Sequence, residues 1–179
     1  MAQIRRLDRN VVVSGQSTLA VIEAMELFEK LARSILEKHG LGAVRADQWY
    51  PIQSYLDVYR EIYERIGAKT MKTIGRKVPD KAFWPPDIST VEQALASIDA
   101  AYHMNHRGGE IGAYAFEKLT EHSGRMVCDN PYPCPFDFGL IEAVAQKFAA
   151  QKLKVRVTHE HPETCRLNGD EACAYRIVW

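Results

Sequence analysis

Cys165 and Cys173 bracket the run C-R-L-N-G-D-E-A-C, in which Gly169-Asp170 marks a turn. Such a turn can bring two flanking sulfurs together. Cys134 lies upstream, and His159, His161 and Glu163 stand just before Cys165. Thiolate and imidazole are the groups zinc binds best, and four of them close a structural site with zinc–sulfur bonds of about 2.3 Å. Cys134 precedes an apolar helical run, and a helix N-terminus favours a thiolate. Cys128 falls in a strand outside this pattern and reads as a buried thiol.

A second set of residues is aromatic. Tyr55, Tyr59, Trp84 and Tyr102 are concentrated in the first two thirds of the chain, where bulky rings leave gaps that a ligand can fill. They are the expected walls of an apolar pocket for an aromatic or otherwise apolar small molecule. His103 and His106 share one helix face and offer candidate haem ligands.

Other chemistries lack their motifs. No G-x-S-x-G elbow, G-x-G-x-x-G fingerprint or phosphate loop is present. The 23 basic and 23 acidic side chains balance, so nucleic acid is not an expected partner. No apolar run approaches the roughly 20 residues that span a bilayer. The basic N-terminus lacks a following apolar stretch, so a cytoplasmic, reducing setting is expected, where clustered cysteines suit metal better than disulfides.

The elements that must position these groups follow from periodicity. Val11, Val12 and Val13 suggest a strand in a leader arm over 1–15. Helical spacing runs over 17–39, from Pro51 to Gly67, and briefly from Lys69 to Gly75. A proline-bearing loop at 78–86 is anchored by Trp84. Ser89 to Glu92 reads as a capping box opening a helix that ends near His106. After Gly108-Gly109 come strands at 111–119 and 125–128, a helix at 138–150, and strands at 154–159 and 172–179. The expected fold is α+β: one ligand-binding domain over 1–179, with a helical half (16–109) packed on a sheet half (110–179). The sheet is four-stranded and antiparallel, in strand-strand-helix-strand-strand order. In the first helix, Met25 and Phe28 widen the apolar face beyond what one sheet covers, so a homodimer is expected.

The carboxy-terminal third resembles the 4-vinyl reductase domain family, which is grouped with haem nitric-oxide-binding domains and Golgi-tether TRAPP subunits. It also resembles the sensor domains of phenol-responsive activators. The resemblance rests on the C-x3-G-D-x2-C hairpin of Cys165 to Cys173 and on Cys134 five residues before Gly139. It implies a zinc held by Cys134, Cys165 and Cys173. The phenol sensors complete that site with a Glu three residues before the second Cys, where this chain has Pro162. The fourth ligand is then His161, His159 or Glu163, with His161 placed first. The resemblance also implies a ligand pocket between helices and sheet. The haem family's Tyr-x-Ser-x-Arg clamp is missing, since the region reads Asn130-Pro131-Tyr132-Pro133-Cys134, and this argues against haem.

The expected function is thus a small-molecule sensor or regulatory domain with a structural zinc, acting through dimerisation or a separate signalling partner. The alternatives are an enzyme or accessory factor of tetrapyrrole metabolism and a scaffold or tethering subunit. The sequence offers no hydride-donor site for a reductase.

Overall fold

Alternating burial builds the main sheet. The computed structural model describes residue 7 and residues 9–25, 29–149 and 154–179. In it, β4 (Ala113–Thr120), β5 (Ser123–Asp129), β6 (Arg156–His159) and β7 (Cys173–Val178) form a four-stranded antiparallel sheet in the order β4-β5-β7-β6. Met126 and Cys128 on β5 are buried, as are Cys173, Tyr175 and Ile177 on β7, so one face of the two central strands points inward. Their register sets Met126 opposite Tyr175 and Cys128 opposite Cys173. Helix α7 (Cys134–Phe148) links the two strand pairs and gives the expected strand-strand-helix-strand-strand order.

The helical half differs from its sequence reading in three places. Residues 17–39 are not one helix. Ser14 rather than Ser17 caps α1 (Gly15–Ala24), its Oγ accepting from Ser17 N at 3.4 Å, and α2 (Glu29–Lys38) is separate. Met25 was expected to extend an outward stripe, but it is buried within this chain, at 1% exposure. Phe28 lies outside the described residues. Met25 is therefore not part of an outward-facing stripe that a second copy could cover.

The second difference is a small sheet, β2-β1-β3, in which β1 (Val12–Ser14) pairs antiparallel with β2 (Trp49–Pro51) and β3 (His106–Arg107). It ties the leader arm to the end of the helical half. The third is the capping box, which is shifted by one residue. Thr90 accepts from Gln93 N at 3.1 Å, while the Gln93 side chain reaches back to Ser89 N at 3.0 Å. The helix it opens divides into α5 (Val91–Ala96) and α6 (Ile98–Met104).

Helix α3 (Ile52–Arg65) stops before Gly67, whose φ of 105° suits glycine. Helix α4 (Ala68–Lys77) then packs against α7 with the two backbones in contact. A Cβ on Gly75 would stand 2.1 Å from Phe136 O, and one on Gly139 would stand 2.0 Å from Lys72 O. Only glycine permits that approach. A single apolar core joins both halves. Among the described residues, no helix is long and apolar enough to cross a membrane.

Candidate functional site

Three separated pieces of chain converge at the cysteines. Cys134 opens α7 directly after the loop of Asn130 to Pro133, four residues earlier than periodicity places the helix. Cys165 opens a 3₁₀ turn over Arg166–Asn168, closed by Gly169 in the left-handed region at φ 105°. Its carbonyl accepts from Asn168 N at 2.7 Å and Asp170 N at 3.2 Å, which folds the loop back on itself. Cys173 begins β7.

The sulfurs of Cys134, Cys165 and Cys173 lie within 4.8 Å of one another, and all three residues are buried. Cys134 and Cys173 are 3.0 Å apart. Four ligands at about 2.3 Å from a tetrahedral centre stand about 3.8 Å from each other, so the donor set and spacing fit zinc. Across this contact the Cys173 thiol is held below its ordinary range, chiefly by the hydrogen bond with Cys134 and further by Arg166 N, while burial opposes the shift. The Cys134 thiol is pushed up by the same contact.

His161 does not join them. Its side chain is 64% exposed, with Nδ1 3.6 Å from Glu163 Oε1. The β6–β7 ladder explains why. It pairs His159 with Tyr175, and one more step of the same alternation would set His161 opposite Cys173. The strand ends at His159, and Pro162 belongs to the turn that follows. His159 therefore occupies the inward face two residues along from Cys173. Its ring lies edge-on to Tyr175 at 4.9 Å, and both ring nitrogens are buried with no hydrogen-bond partner. An unpartnered buried imidazole is costly, and a metal ligand bond would satisfy it.

A charged lock that the sequence reading missed holds this loop to α7. Arg166 Nη2 donates to Asp137 Oδ2, and Arg166 Nη1 donates to both oxygens of Asn130. Asp137 also accepts from Tyr114 Oη at 2.6 Å and Asn130 Nδ2 at 3.3 Å. Asp137 is fully buried, and burial pushes its carboxyl up while Arg166 opposes that shift. Periodicity begins this helix at 138, so Asp137 falls in the loop before it and gives no signal.

On the other side of Tyr114 is a partly open cavity of about 40 Å³, lined by Ser17, Tyr55, Trp84, Tyr102, Asn105 and His106 among others. Three of the four expected pocket residues are on its wall. Tyr59 is not; it stands behind Tyr55, with ring centroids 4.6 Å apart. Tyr55 Oη donates to Ser17 O at 2.8 Å, which leaves Tyr59 Oη to donate to Tyr55 Oη at 2.8 Å. Asn105 holds the Trp84 loop over the cavity. It accepts from Phe83 N at 3.2 Å and donates to Phe83 O at 2.9 Å. Trp84 Nε1 is buried without a partner.

His106 Nδ1 is 2.7 Å from Tyr102 O, and Nε2 is 2.5 Å from Tyr132 Oη. A carbonyl only accepts, so Nδ1 carries the proton and Tyr132 donates to Nε2. Burial lowers the His106 pKa to about 4, so the ring is neutral at pH 7. Burial likewise keeps Tyr59, Tyr102, Tyr114 and Tyr132 neutral.

No family model matches the chain, and no curated protein matches it. Solved structures do. An Fe(II)NO H-NOX protein from S. oneidensis superposes with a TM-score of 0.66 at 15% identity, covering 92% of this chain and 97% of that one. An unliganded Fe(II) H-NOX mutant from K. algicida gives 0.65 at 14%, covering 92% and 95%. An oxygen complex of an H-NOX domain related to soluble guanylate cyclases gives 0.62 at 14%, covering 92% and 94%. The fold is the H-NOX fold.

That likeness corrects the argument against haem. Proteins sharing this fold include some studied for haem redox potential and porphyrin distortion, so a missing clamp motif does not set haem aside here. The cavity in this chain occupies the junction of helices and sheet, and its buried imidazole is His106 rather than the exposed His103. As packed, about 40 Å³ does not fit a porphyrin, because ligand sites of that class measure hundreds of Å³. A haem would have to part Tyr55, Tyr102 and Tyr132 and take His106 Nε2 from Tyr132.

Proposed function

We propose that this chain is a small-molecule-binding sensor or regulatory domain whose ligand enters the interior cavity beneath Trp84, with a structural zinc bracing the adjacent loop. The observation that carries this reading is the cavity itself. It is apolar on its walls, and Trp84 Nε1 stands buried and unpartnered beside it. The ligand is then a small, mainly apolar molecule with one hydrogen-bond acceptor for the indole N–H. The H-NOX fold supports the same class, because proteins of this fold have been solved with nitric oxide and with oxygen.

Zinc would be held by Cys134, Cys165, Cys173 and His159. Four protein ligands would leave no open position for water or substrate, which suits a closed structural site. Readout follows the hydrogen bonds. Tyr114 and Tyr132 form part of the cavity wall, and each is tied to the guanidinium beside Cys165: Tyr114 through Asp137, and Tyr132 through Asn130, whose Oδ1 accepts from Tyr132 N at 2.9 Å. A ligand that displaces either ring would shift the loop carrying the metal.

The test is a thermal-shift screen with phenol, geraniol and haemin, each titrated to saturation. A ligand of this cavity raises the melting temperature of the parent, and Trp84→Phe, which removes the donor but keeps a ring, reduces that rise. A shift unchanged in Trp84→Phe would move the site elsewhere.

A further inference from the structure

A second cleft lies on the other side of the cysteines. It measures about 440 Å³, within the 300–1,000 Å³ range of small-molecule sites. Its walls come from the start of α4, the start of α7 and the Cys165 loop, with Ala68, Pro135, Phe138, Pro162, Leu167 and Tyr175 supplying apolar surface. Cys134, Cys165 and His159 also line it. No Asp or Glu lines it, but Lys69 and Lys72 do. The Lys72 ammonium is 3.2 Å from Glu142, a carboxylate it shares with Arg76, and lies 3.8 Å above the Phe138 ring. Lys69 is exposed and has no carboxylate partner among the described residues. The cleft thus combines apolar walls with the positive charge of Lys69, which no described carboxylate pairs.

We infer that this cleft binds an amphipathic monocarboxylate, with its hydrocarbon or aryl body along Phe138 and Leu167 and its carboxylate at Lys69. The charge selects the class. A cation would meet two ammonium groups and no acid. A neutral hydrocarbon would leave the Lys69 ammonium beside apolar surface without a counter-charge. A zinc at the cysteines would already have its ligands, so the body of the ligand meets a closed wall rather than a reactive centre. This site is separate from the interior cavity, and the inference does not depend on what fills that cavity.

The experiment is calorimetry on the zinc-replete protein with decanoate, 1-decanol and decylammonium as probes. Decanoate should bind saturably and in one-to-one ratio, and decylammonium should not bind. Lys69→Glu should weaken decanoate about tenfold by reversing the charge there. Leu167→Trp should abolish binding by filling the cleft. Unchanged melting temperatures and zinc content in both variants would establish that each is folded. Equal binding of decylammonium and decanoate, or full affinity in Leu167→Trp, would overturn the proposal. Loss of decanoate binding in Trp84→Phe would also overturn it, by assigning the ligand to the interior cavity. If decanoate binds in the cleft while no ligand responds to Trp84→Phe, the cavity reading fails and this one stands.

Discussion

The Arg166 guanidinium is seated on the Asp137 carboxylate, joining the loop after Cys165 to the first turns of α7. Neither partner is available to solvent: Asp137 is 0% and Arg166 8% exposed at the side chain. Two buried charges that satisfy each other are costly to separate, because removing one leaves the other uncompensated.

Asp137→Asn should therefore destabilise the protein by about 3–5 kcal/mol, measured by urea denaturation. The double variant Asp137→Asn with Arg166→Met should recover part of that loss, because it leaves no orphaned charge. A loss under about 1 kcal/mol in the single variant would mean that water reaches the pair.

Metal content gives the second expectation. Native mass spectrometry of protein purified without added metal should find one zinc per chain. Cys173→Ala and His159→Ala should lose it, and His161→Ala should keep it. Because metal binding contributes to folding, chelation should lower the melting temperature of the parent and leave that of Cys173→Ala unchanged. Zinc lost in His161→Ala and kept in His159→Ala would reverse the ligand assignment.

Acid should destabilise the protein through His106. Its folded-state pKa is about 4, lowered first by burial and further by the neighbouring His103, against about 6.5 in the unfolded chain. Between those values the unfolded chain binds the extra proton. Stability is therefore complete above about pH 6.5 and is lost as pH falls toward 4, by up to about 3 kcal/mol. Denaturation midpoints at several pH values should show this slope in the parent, and a shallower one in His106→Gln.

Gly139→Ala should be poorly tolerated. The added Cβ would stand 2.0 Å from Lys72 O, a backbone atom that cannot swing away. Forcing α4 and α7 apart should cost about 1–3 kcal/mol, read as a drop in melting temperature. Gly40→Ala is the contrast. Its Cβ would meet nothing within 4 Å, so its cost is confined to the left-handed backbone at φ 79°.

Much of this was legible in the sequence, because local pattern and local structure agreed there. Alternation gave the four strands, and the Gly169-Asp170 turn gave the approach of Cys165 and Cys173. What could not be read depended on partners distant in the chain. Arg166 follows a cysteine and Asp137 sits in an apolar helix, and nothing local says that they meet. Tyr59 shares helical spacing with Tyr55, yet the Tyr55 ring screens it from the cavity. His161 was placed first among the possible fourth ligands, yet only a β6–β7 ladder continued past His159 would have set it opposite Cys173. Where that ladder stops depends on the turn at Pro162, which strand patterning does not report.

The glycine contact between α4 and α7 has a mechanical consequence. With Gly75 against Phe136 O and Gly139 against Lys72 O, no side chain separates the two helices, so they behave as a single stiff body. Lys69, Phe138 and Cys134 all ride on it. The opposite wall, from Pro162 to Cys173, is tethered to that body by the Arg166 lock and the sulfur cluster. The outer cleft is thus framed by this helix pair on one side and, on the other, by a loop whose fastening to it runs through the Arg166 lock and the cysteines.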